Sequence, residues 1–436
     1  MIGFGVSQAI RFGSNLFMTR MLIPELFGVM AIATTVMFGL AMFSDVGLRQ
    51  SVIRSNRGTE SAFLNTAWLT QVLRGALIWV IALGVSLLVV FANRIGVVPA
   101  NSVYSEPSLP YVIAILSFSA VISGFDSTKL FEASRNLLVG AVTQIEIISQ
   151  LAGLSCMIAW VVLDRSIWAL VSGSICSTLV RVILSHIVLP GVANRWQWDH
   201  AAFREILGFG KWIFLSSILG FLVSSGDRLL LGGLLSTSEL GVYVIAFLLV
   251  NSVEQVLSRI IGGVSFPALS EVAHQRPTEM KVSYYRFRFV LGTFANFCVG
   301  FLMVAGQTLV GLLYDRRYSE AGWMVETLAA CLMTVPFSVA IQCFMVFGAP
   351  KLLPRISMIR LVTMFLLMPS GFHFFGLKGA LWGFVISYYS SLTITIYYKM
   401  TYKLFDFRKE LLMLPSVLVG AYHSFFIGSA QQKSSQ

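Results

Sequence analysis

Residues 75–92 read GALIWVIALGVSLLVVFA, an uncharged stretch long enough to cross a lipid bilayer as a helix. A helix rises 1.5 Å per residue, so about 20 apolar residues span a hydrocarbon core of about 30 Å. Stretches of the same kind recur along the whole chain with little sequence between them. This pattern predicts a polytopic membrane protein built almost entirely of transmembrane helices.

The composition agrees with this interpretation. The chain has 436 residues, of which 56% are hydrophobic and 12% charged, and its mean hydropathy is +0.80. Soluble domains carry about 25% charged residues, so the sequence predicts no separate soluble domain. The net charge of +11 is better explained by basic residues in cytoplasmic loops than by binding of nucleic acid.

The apolar stretches predict an all-α membrane protein with two pseudo-symmetric six-helix bundles around a central cavity. The predicted lobes are residues 1–200 and 201–408, followed by an extra apolar segment and a disordered tail in 409–436. Twelve spans are predicted at 1–20, 26–46, 70–92, 110–128, 138–163, 167–190, 209–234, 240–265, 289–313, 323–348, 353–375 and 379–399, with a possible weak thirteenth at 411–428.

Basic residues are distributed unequally between the two sets of connections. Arg49, Arg54 and Arg57 fall in the first connection of one set, whereas the other set holds fewer, such as Arg94 and Arg165. Arginine and lysine are enriched in cytoplasmic loops. The distribution therefore predicts a cytoplasmic N-terminus.

A short internal repeat favours two related halves. Residues 22–29, LIPELFGV, resemble residues 235–242, LSTSELGV, at an offset of 213 (241 minus 28). A second match, between residues 168–170 and 379–381, has an offset of 211 (379 minus 168). Parallel repeats of this kind occur in transporters whose substrate binds between the halves. Chance recurrence in a low-diversity apolar sequence is the alternative.

Several predicted spans carry polar or charged residues on one helical face. A charged side chain at membrane depth costs at least about 2.5 kcal/mol and normally faces a cavity or a partner. Arg11 lies near the middle of the first span, where it is too deep to reach the interface easily. The other members are Ser7, Ser14 and Asn15 of the first span, Thr143, Glu146, Ser149 and Gln150 of the fifth, Ser217, Ser224, Asp227 and Arg228 of the seventh, and Asn251, Glu254, Gln255, Ser258 and Arg259 of the eighth.

Simpler roles exist for some of these groups. Asp227 and Arg228 could form a local ion pair, and Arg20, Arg49 and Arg54 could be topology anchors. Serine and glutamine in a span often only bond across helices, which contributes about 0.6 kcal/mol on average.

Motifs of competing classes are missing from the sequence. There is no Gly-x-x-x-x-Gly-Lys-[Ser/Thr] loop for ATP binding. An Asp-x-Asp pair and a large extramembrane loop, which a membrane glycosyltransferase or polymerase would need, are also missing. The sequence therefore favours a transporter over an enzyme.

Five segments resemble the oligosaccharide flippases of the multidrug/oligosaccharidyl-lipid/polysaccharide superfamily. They are residues 19–29 (TRMLIPELFGV), 43–48 (FSDVGL), 226–232 (GDRLLLG), 266–270 (FPALS) and 375–381 (FGLKGAL). The resemblance implies two six-helix lobes in a V shape that alternate access to a central cavity. It also implies a lipid-pyrophosphate-linked oligosaccharide, usually on undecaprenol, that is moved to the outer leaflet of the bacterial cytoplasmic membrane.

This resemblance gives the polar residues hypothetical roles. Arginine side chains would neutralise the pyrophosphate, because guanidinium groups pair with phosphate oxygens. Carboxylates would couple transport to protons or sodium, unless transport simply follows the substrate gradient; no other cofactor and no metal site is expected. A polysaccharide polymerase and export machinery are possible partners. The candidate substrate-binding residues are Arg11, Asn15, Arg20, Arg54, Asn251 and Arg259, and the candidate coupling residues are Glu146, Asp227 and Glu254.

Three other functions stay open. A cation-coupled multidrug antiporter of the same superfamily predicts an acidic cavity, whereas Arg11 favours an anion. A lipid II flippase would share the anionic substrate. A membrane-embedded glycosyltransferase or polymerase is disfavoured by the missing motifs.

Overall fold

The computed structural model describes residues 2–45 and 47–413, and every regular element in these residues is helical. Short 3-10 segments occur at Val103–Ser105, Pro277–Glu279, Arg316–Tyr318 and Ala330–Phe337, and one π-helical segment at Ile261–Ser265. The α-helices are α1 Ile2–Met21, α2 Pro24–Phe43, α3 Leu48–Arg54, α4 Ser61–Arg94, α5 Leu109–Gly124, α6 Lys129–Arg135, α7 Val139–Leu163, α8 Trp168–Ile187, α9 His200–Leu234, α10 Thr237–Ile260, α11 Phe266–Gln275, α12 Met280–Leu313, α13 Ala321–Ala329, α14 Ser338–Val346, α15 Leu352–Thr401 and α16 Phe407–Met413.

The predicted spans fall on helices throughout the described chain. Nine helical stretches there are long and apolar enough to cross a membrane, or ten if the bent pair Leu109–Gly124 and Lys129–Arg135 forms one span. This confirms the all-helical polytopic fold. The count of twelve crossings stays a prediction, and the possible thirteenth span at 411–428 lies mostly outside the described residues, as does the predicted tail.

The long helix α15 is two helices joined at a sharp break. Gly376 has φ 62° and ψ −150°, a combination that is essentially restricted to glycine. Beside the break, a Cβ atom added to Gly371 would lie 2.3 Å from the carbonyl oxygen of Gly379, and one added to Gly379 would lie 2.1 Å from that of Gly371. The halves 352–375 and 377–401 therefore pack closely, in agreement with the predicted spans at 353–375 and 379–399.

By contacts, the chain divides into a first unit, Met1–Gly241, and a second unit, Val242–Gln436. The predicted lobes instead divide at 200/201. Helix α9 belongs to the first unit because it packs on α2, where the Phe221 ring lies 5.1 Å from that of Phe43 and 6.1 Å from that of Phe38. The division into two six-helix lobes stays a prediction.

Glycines allow neighbouring helices of the first unit to approach closely. A Cβ atom on Gly153 of α7 would lie 2.7 Å from the carbonyl oxygen of Gly173 on α8. Between α4 and α5, a Cβ on Gly75 would lie 2.4 Å from the carbonyl oxygen of Ala120. Helices in lipid associate by such tight packing because lipid tails are as apolar as the helices themselves.

Hydrogen bonds tie the start of α4 to the loop before α9. The Asn65 side chain accepts from the Arg195 N–H at 2.9 Å, and the Thr66 hydroxyl accepts from the Asp199 N–H at 2.9 Å. The Asp199 carboxylate caps α9 by accepting from the Ala201 N–H at 2.8 Å. Its hydrogen bond from Arg57 is the main reason that the pKa of Asp199 lies below its usual value.

Candidate functional site

The polar face of α1 borders a cavity inside the first unit. This cavity, of about 370 Å³, is called cavity A. Three helices, α1, α7 and α8, provide most of its wall. Its lining residues are Ile10, Arg11, Ser14, Asn15, Met18, Phe27, Gln150, Gly153, Leu154, Met157, Leu170, Gly173, Ser174, Ser177 and Thr178.

The polar faces predicted on the first and fifth spans meet at Ser7 and Gln150. The Ser7 hydroxyl lies 3.1 Å from the Gln150 side-chain oxygen and 2.8 Å from its nitrogen. Gln150 also lines cavity A. The structure therefore brings together side chains that the sequence placed on two separate helical stripes.

Cavity A is cationic. Among the lining residues that the structure describes, Arg11 is the one charged side chain, and no aspartate or glutamate is present. The Asn15 side-chain oxygen is shielded from solvent and makes no hydrogen bond within the described part of the chain. The cavity therefore offers a charged donor and an unsatisfied acceptor.

The other two arginines proposed for the phosphate lie elsewhere. Arg20 is in the last turn of α1 and Arg54 ends α3. Both side chains are exposed and both interact with other residues. Neither belongs to the residues that line cavity A.

The acidic candidates have different surroundings. Asp227 on α9 is 1% exposed and interacts with other groups. Glu146 on α7 is exposed and interacts electrostatically with Arg181 on α8. These two carboxylates therefore already have partners in this state of the protein.

The three candidates on α10 belong to the second unit. Asn251 and Glu254 are half-buried, and Arg259 is exposed and interacts with another group. Glu254 interacts with Arg360 and with the Tyr388 hydroxyl, and the Arg360 guanidinium lies 3.4 Å from the centre of the Tyr388 ring.

A second cavity of the first unit, cavity B, has a volume of about 470 Å³. It shares Thr178 with cavity A. Charged residues from five helices and loops contribute to its wall, together with the Gln71 amide. Its lining residues are Met37, Ala41, Asp45, Leu48, Arg49, Gln50, Gln71, Arg74, Gly75, Ile78, Ser119, Ala120, Ser123, Gly124, Asp126, Leu130, Phe131, Thr178 and Arg181.

Two ion pairs organise cavity B. Arg181 donates to the Asp126 carboxylate, which is 6% exposed. Arg74 donates to the Ala41 carbonyl and Ser44 hydroxyl and lies 3.7 Å from Asp45. Each arginine therefore fixes the end of a neighbouring helix.

Sequence reasoning missed the charged residues of cavity B. Arg74 and Arg181 lie inside predicted apolar spans, and the cost of burying a charge in lipid was a sufficient signal to select them. Asp126 falls inside the predicted span 110–128 and gave the same signal, although its helix ends just before it. Its pairing with Arg181, 55 residues away, has no local sequence signal.

A charged cluster also lies at the end of the second unit. The Glu410 carboxylate on α16 accepts from Arg288, from Lys399 and, at 2.8 Å, from the Tyr285 hydroxyl. Burial alone would raise the pKa of Glu410, but the two cations outweigh it and hold that pKa below its usual value.

The chain resembles known polysaccharide proteins over most of its length. The model of the family described as "Polysaccharide biosynthesis protein" matches residues 17–322. The succinoglycan biosynthesis transport protein ExoT of Rhizobium meliloti is 24% identical over 61% of this chain and 51% of its own length. A membrane protein of the cps region of Klebsiella pneumoniae is 24% identical over 69% of this chain and 60% of its own length. The alignments thus span little more than half of each relative.

Two solved structures have the same fold. The inward closed conformation of the lipid II flippase MurJ superposes with a TM-score of 0.68 at 12% identity, covering 99% of this chain and 98% of that one. An inward-facing multidrug transporter of the MATE family gives a TM-score of 0.63 at 14% identity, covering 92% and 94%. The predicted fold is therefore confirmed, since both structures with this fold are those of transporters. The chain is a multi-pass membrane protein that belongs to the polysaccharide biosynthesis protein family.

Proposed function

We propose that this protein is a flippase for a lipid-linked oligosaccharide. The substrate is joined to a polyprenyl carrier, of the undecaprenyl type, through pyrophosphate. The protein moves it by alternating access to the outer leaflet of the bacterial cytoplasmic membrane for exopolysaccharide or surface polysaccharide synthesis. The observation that supports this proposal is the charge of cavity A, where Arg11 is the one charged side chain among the described lining residues.

The pyrophosphate is the part of the substrate whose transfer through the hydrocarbon core costs the most free energy. Even a single charge at the bilayer centre costs about 2.5–3.5 kcal/mol or more. A hydrogen bond to a charged group contributes about 1.5–3 kcal/mol. The Arg11 guanidinium can form two such bonds to phosphate oxygens, so it can offset much of the cost.

Cavity A also offers groups for the adjoining sugar. The Asn15 oxygen can accept from a sugar hydroxyl, and serine and threonine side chains of α8 can donate or accept. Ligand cavities of about 300–1,000 Å³ hold drug-sized molecules. Cavity A therefore suits the headgroup, while the polyprenyl tail stays in lipid.

The remaining candidates take secondary roles in this proposal. Arg20 and Arg54 guide the pyrophosphate outside cavity A, and Asn251 and Arg259 on α10 are further sugar-binding candidates. Glu146, Asp227 and Glu254 are candidates for proton or sodium coupling. A polymerase and export machinery on the outer side receive the product.

A flipping assay in proteoliposomes tests the proposal. A fluorescent polyprenyl-pyrophosphoryl sugar is incorporated, and its transfer between leaflets is followed by quenching of the outer pool. We expect Arg11→Gln to lower the flipping rate by roughly 10- to 100-fold, because a charged hydrogen bond is lost. Arg11→Lys keeps the positive charge but cannot form the two parallel hydrogen bonds of a guanidinium group, so we expect a smaller decrease in the flipping rate.

Arg165→Gln is the matched control. Arg165 lies between α7 and α8 and is not among the residues that line cavity A, so its loss leaves the rate unchanged. A rate in Arg11→Gln equal to that of the control contradicts the proposal. If the protein transports a cationic drug instead of the lipid-linked sugar, the multidrug antiporter is supported. If it prefers lipid II as substrate, the lipid II flippase is supported.

A further inference from the structure

Cavity B has a surplus of positive charge. Its wall holds the guanidinium groups of Arg49, Arg74 and Arg181 and the carboxylates of Asp45 and Asp126. The direct pair of Arg181 with Asp126 leaves two arginines and one aspartate. The cavity therefore favours an anionic ligand.

One terminal nitrogen of Arg74 forms an ion pair but makes no hydrogen bond within the described residues. Its Nε donates to the Ser44 hydroxyl at 3.0 Å, and its Nη2 donates to the Ala41 carbonyl. Its Nη1 lies 3.7 Å from the Asp45 carboxylate, which is longer than the 2.7–3.2 Å of an N–H···O hydrogen bond. Asp45 meanwhile accepts from the Gly47 N–H at 2.9 Å.

The Arg49 side chain is only weakly constrained by its neighbours. Its side chain is exposed, and its hydrogen bond within the described residues is to the Ser134 hydroxyl at 3.2 Å. The guanidinium groups of Arg49 and Arg74 line the same cavity. Two guanidinium groups suit the two phosphoryl groups of a pyrophosphate, since each guanidinium can pair with phosphate oxygens.

The rest of the wall contains apolar side chains, including Met37, Ile78, Leu130 and Phe131. A cavity with arginines and an apolar surface suits an amphiphilic anion better than a free inorganic ion. An isoprenyl pyrophosphate has this chemistry, with a charged headgroup joined directly to hydrocarbon.

Helix α8 connects cavity B to cavity A. Thr178 lines both cavities, with Ser174 on the side of cavity A and Arg181 on the side of cavity B. These three residues follow at i, i+4 and i+7, so they share one helical face. Polar groups therefore continue from one cavity to the other.

We propose that cavity B is a second pyrophosphate-binding site, in which Arg49 and Arg74 hold the lipid headgroup before it moves along α8 to Arg11. The assignment extends the proposed function and rests on it. Because Arg49 lies in a connection that the sequence predicts to be cytoplasmic, cavity B is the entry site and cavity A the later one.

Binding of two probes to the full chain in lipid nanodiscs tests this assignment. The probes are farnesyl pyrophosphate and inorganic pyrophosphate, measured by titration calorimetry. We expect two sites for farnesyl pyrophosphate, with weaker binding of the inorganic probe. Equal binding of both probes at cavity B would identify a free-anion site and overturn the lipid assignment.

Substitutions assign each site. We expect Arg49→Gln and Arg74→Lys each to weaken farnesyl pyrophosphate binding at cavity B by about tenfold. The first variant loses a charged hydrogen bond, and the second loses the paired hydrogen bonds of a guanidinium group. Arg11→Gln weakens the other site. Asp45→Asn keeps an acceptor for the Gly47 N–H but removes a negative charge, so it tightens binding at cavity B.

Ser134→Ala is the matched control, because it removes the hydrogen-bond partner of Arg49 without changing the charge. If it weakens binding as much as Arg49→Gln does, Arg49 only anchors α3 and the assignment is wrong. Unchanged binding in both Arg49→Gln and Arg74→Lys also overturns it.

The two proposals can fail separately. If flipping survives in Arg11→Gln while Arg49→Gln still weakens a pyrophosphate site, the proposed function fails and the site in cavity B stands. If flipping is lost in Arg11→Gln but a single pyrophosphate site is found, the assignment of cavity B fails alone.

Discussion

Gly28 and Gly241 contact each other's helix reciprocally. A Cβ atom on Gly28 would lie 2.0 Å from the Thr237 carbonyl oxygen, and one on Gly241 would lie 1.9 Å from the Pro24 carbonyl oxygen. Both glycines and both carbonyl residues are related by the repeat offset of 213 (241 minus 28, and 237 minus 24). Corresponding positions of the two copies of the repeat therefore contact each other reciprocally.

We expect Gly28→Ala and Gly241→Ala to destabilise the protein to a similar extent. In each variant the new methyl group meets a backbone carbonyl, which cannot move away as a flexible side chain could. Overpacking of this kind costs about 1–3 kcal/mol. Thermal unfolding in detergent measures the effect. Gly84→Ala, on α4 with no atom within 4 Å of the added Cβ, is the control, and two variants as stable as this control would contradict the reciprocal contact.

The break in α15 predicts that Gly376→Ala is destabilising. Gly376 has φ 62° and ψ −150°, and a residue with a side chain in such a conformation costs about 1–3 kcal/mol. Protease sensitivity of the connection between 352–375 and 377–401 reports local opening. Gly311→Ala on α12, where the added Cβ meets no atom within 4 Å, is the matched control. Equal protease resistance in both variants would show that the break tolerates a side chain.

The stability of the second unit should depend on the Glu410 carboxylate. Arg288 is 5% exposed and Lys399 0%, and removing one partner of a buried ion pair costs about 3–5 kcal/mol. We expect Glu410→Gln to lower the unfolding temperature clearly. Arg408→Gln on the same helix is the control, because Arg408 is exposed. An unfolding temperature in Glu410→Gln as high as in the control would contradict a structural role for this cluster.

The same carboxylate predicts a pH dependence. Its folded pKa lies below the ordinary 4.5, so its stabilising contribution is fully present above that pH. The contribution is lost as the pH falls through the folded pKa, because the cations then face a neutral partner. Unfolding temperatures measured from pH 7 down to pH 3 should fall more for the wild type than for Glu410→Gln. Parallel curves would exclude Glu410 as the titrating group.

Local sequence patterns predicted much of the fold and part of the site. Residues 75–92 predicted a span by length and apolarity alone, and Arg11 and Asn15 were placed on one face by helical spacing. The LIPELFGV repeat indicated two related copies, whose contact through Gly28 and Gly241 is now seen.

Ion pairs between residues that are distant in sequence could not be predicted from local sequence patterns. The Arg181 partner, Asp126, and the Arg288 partner, Glu410, are distant in sequence, and no local spacing predicts such pairs. Cavity B is formed by helix ends from several elements, so its position depends on packing that the sequence pattern does not encode. The number of crossings also depends on packing, because a bent pair such as α5 and α6 forms either one span or none.

The most direct measurement is an experimental structure of the full chain bound to a polyprenyl-pyrophosphoryl sugar. We expect the pyrophosphate to lie within ion-pair distance, about 4 Å, of the Arg11 guanidinium in cavity A, with the first sugar beside Asn15. A headgroup bound away from cavity A, with the Arg11 side chain directed toward acyl chains, would contradict it.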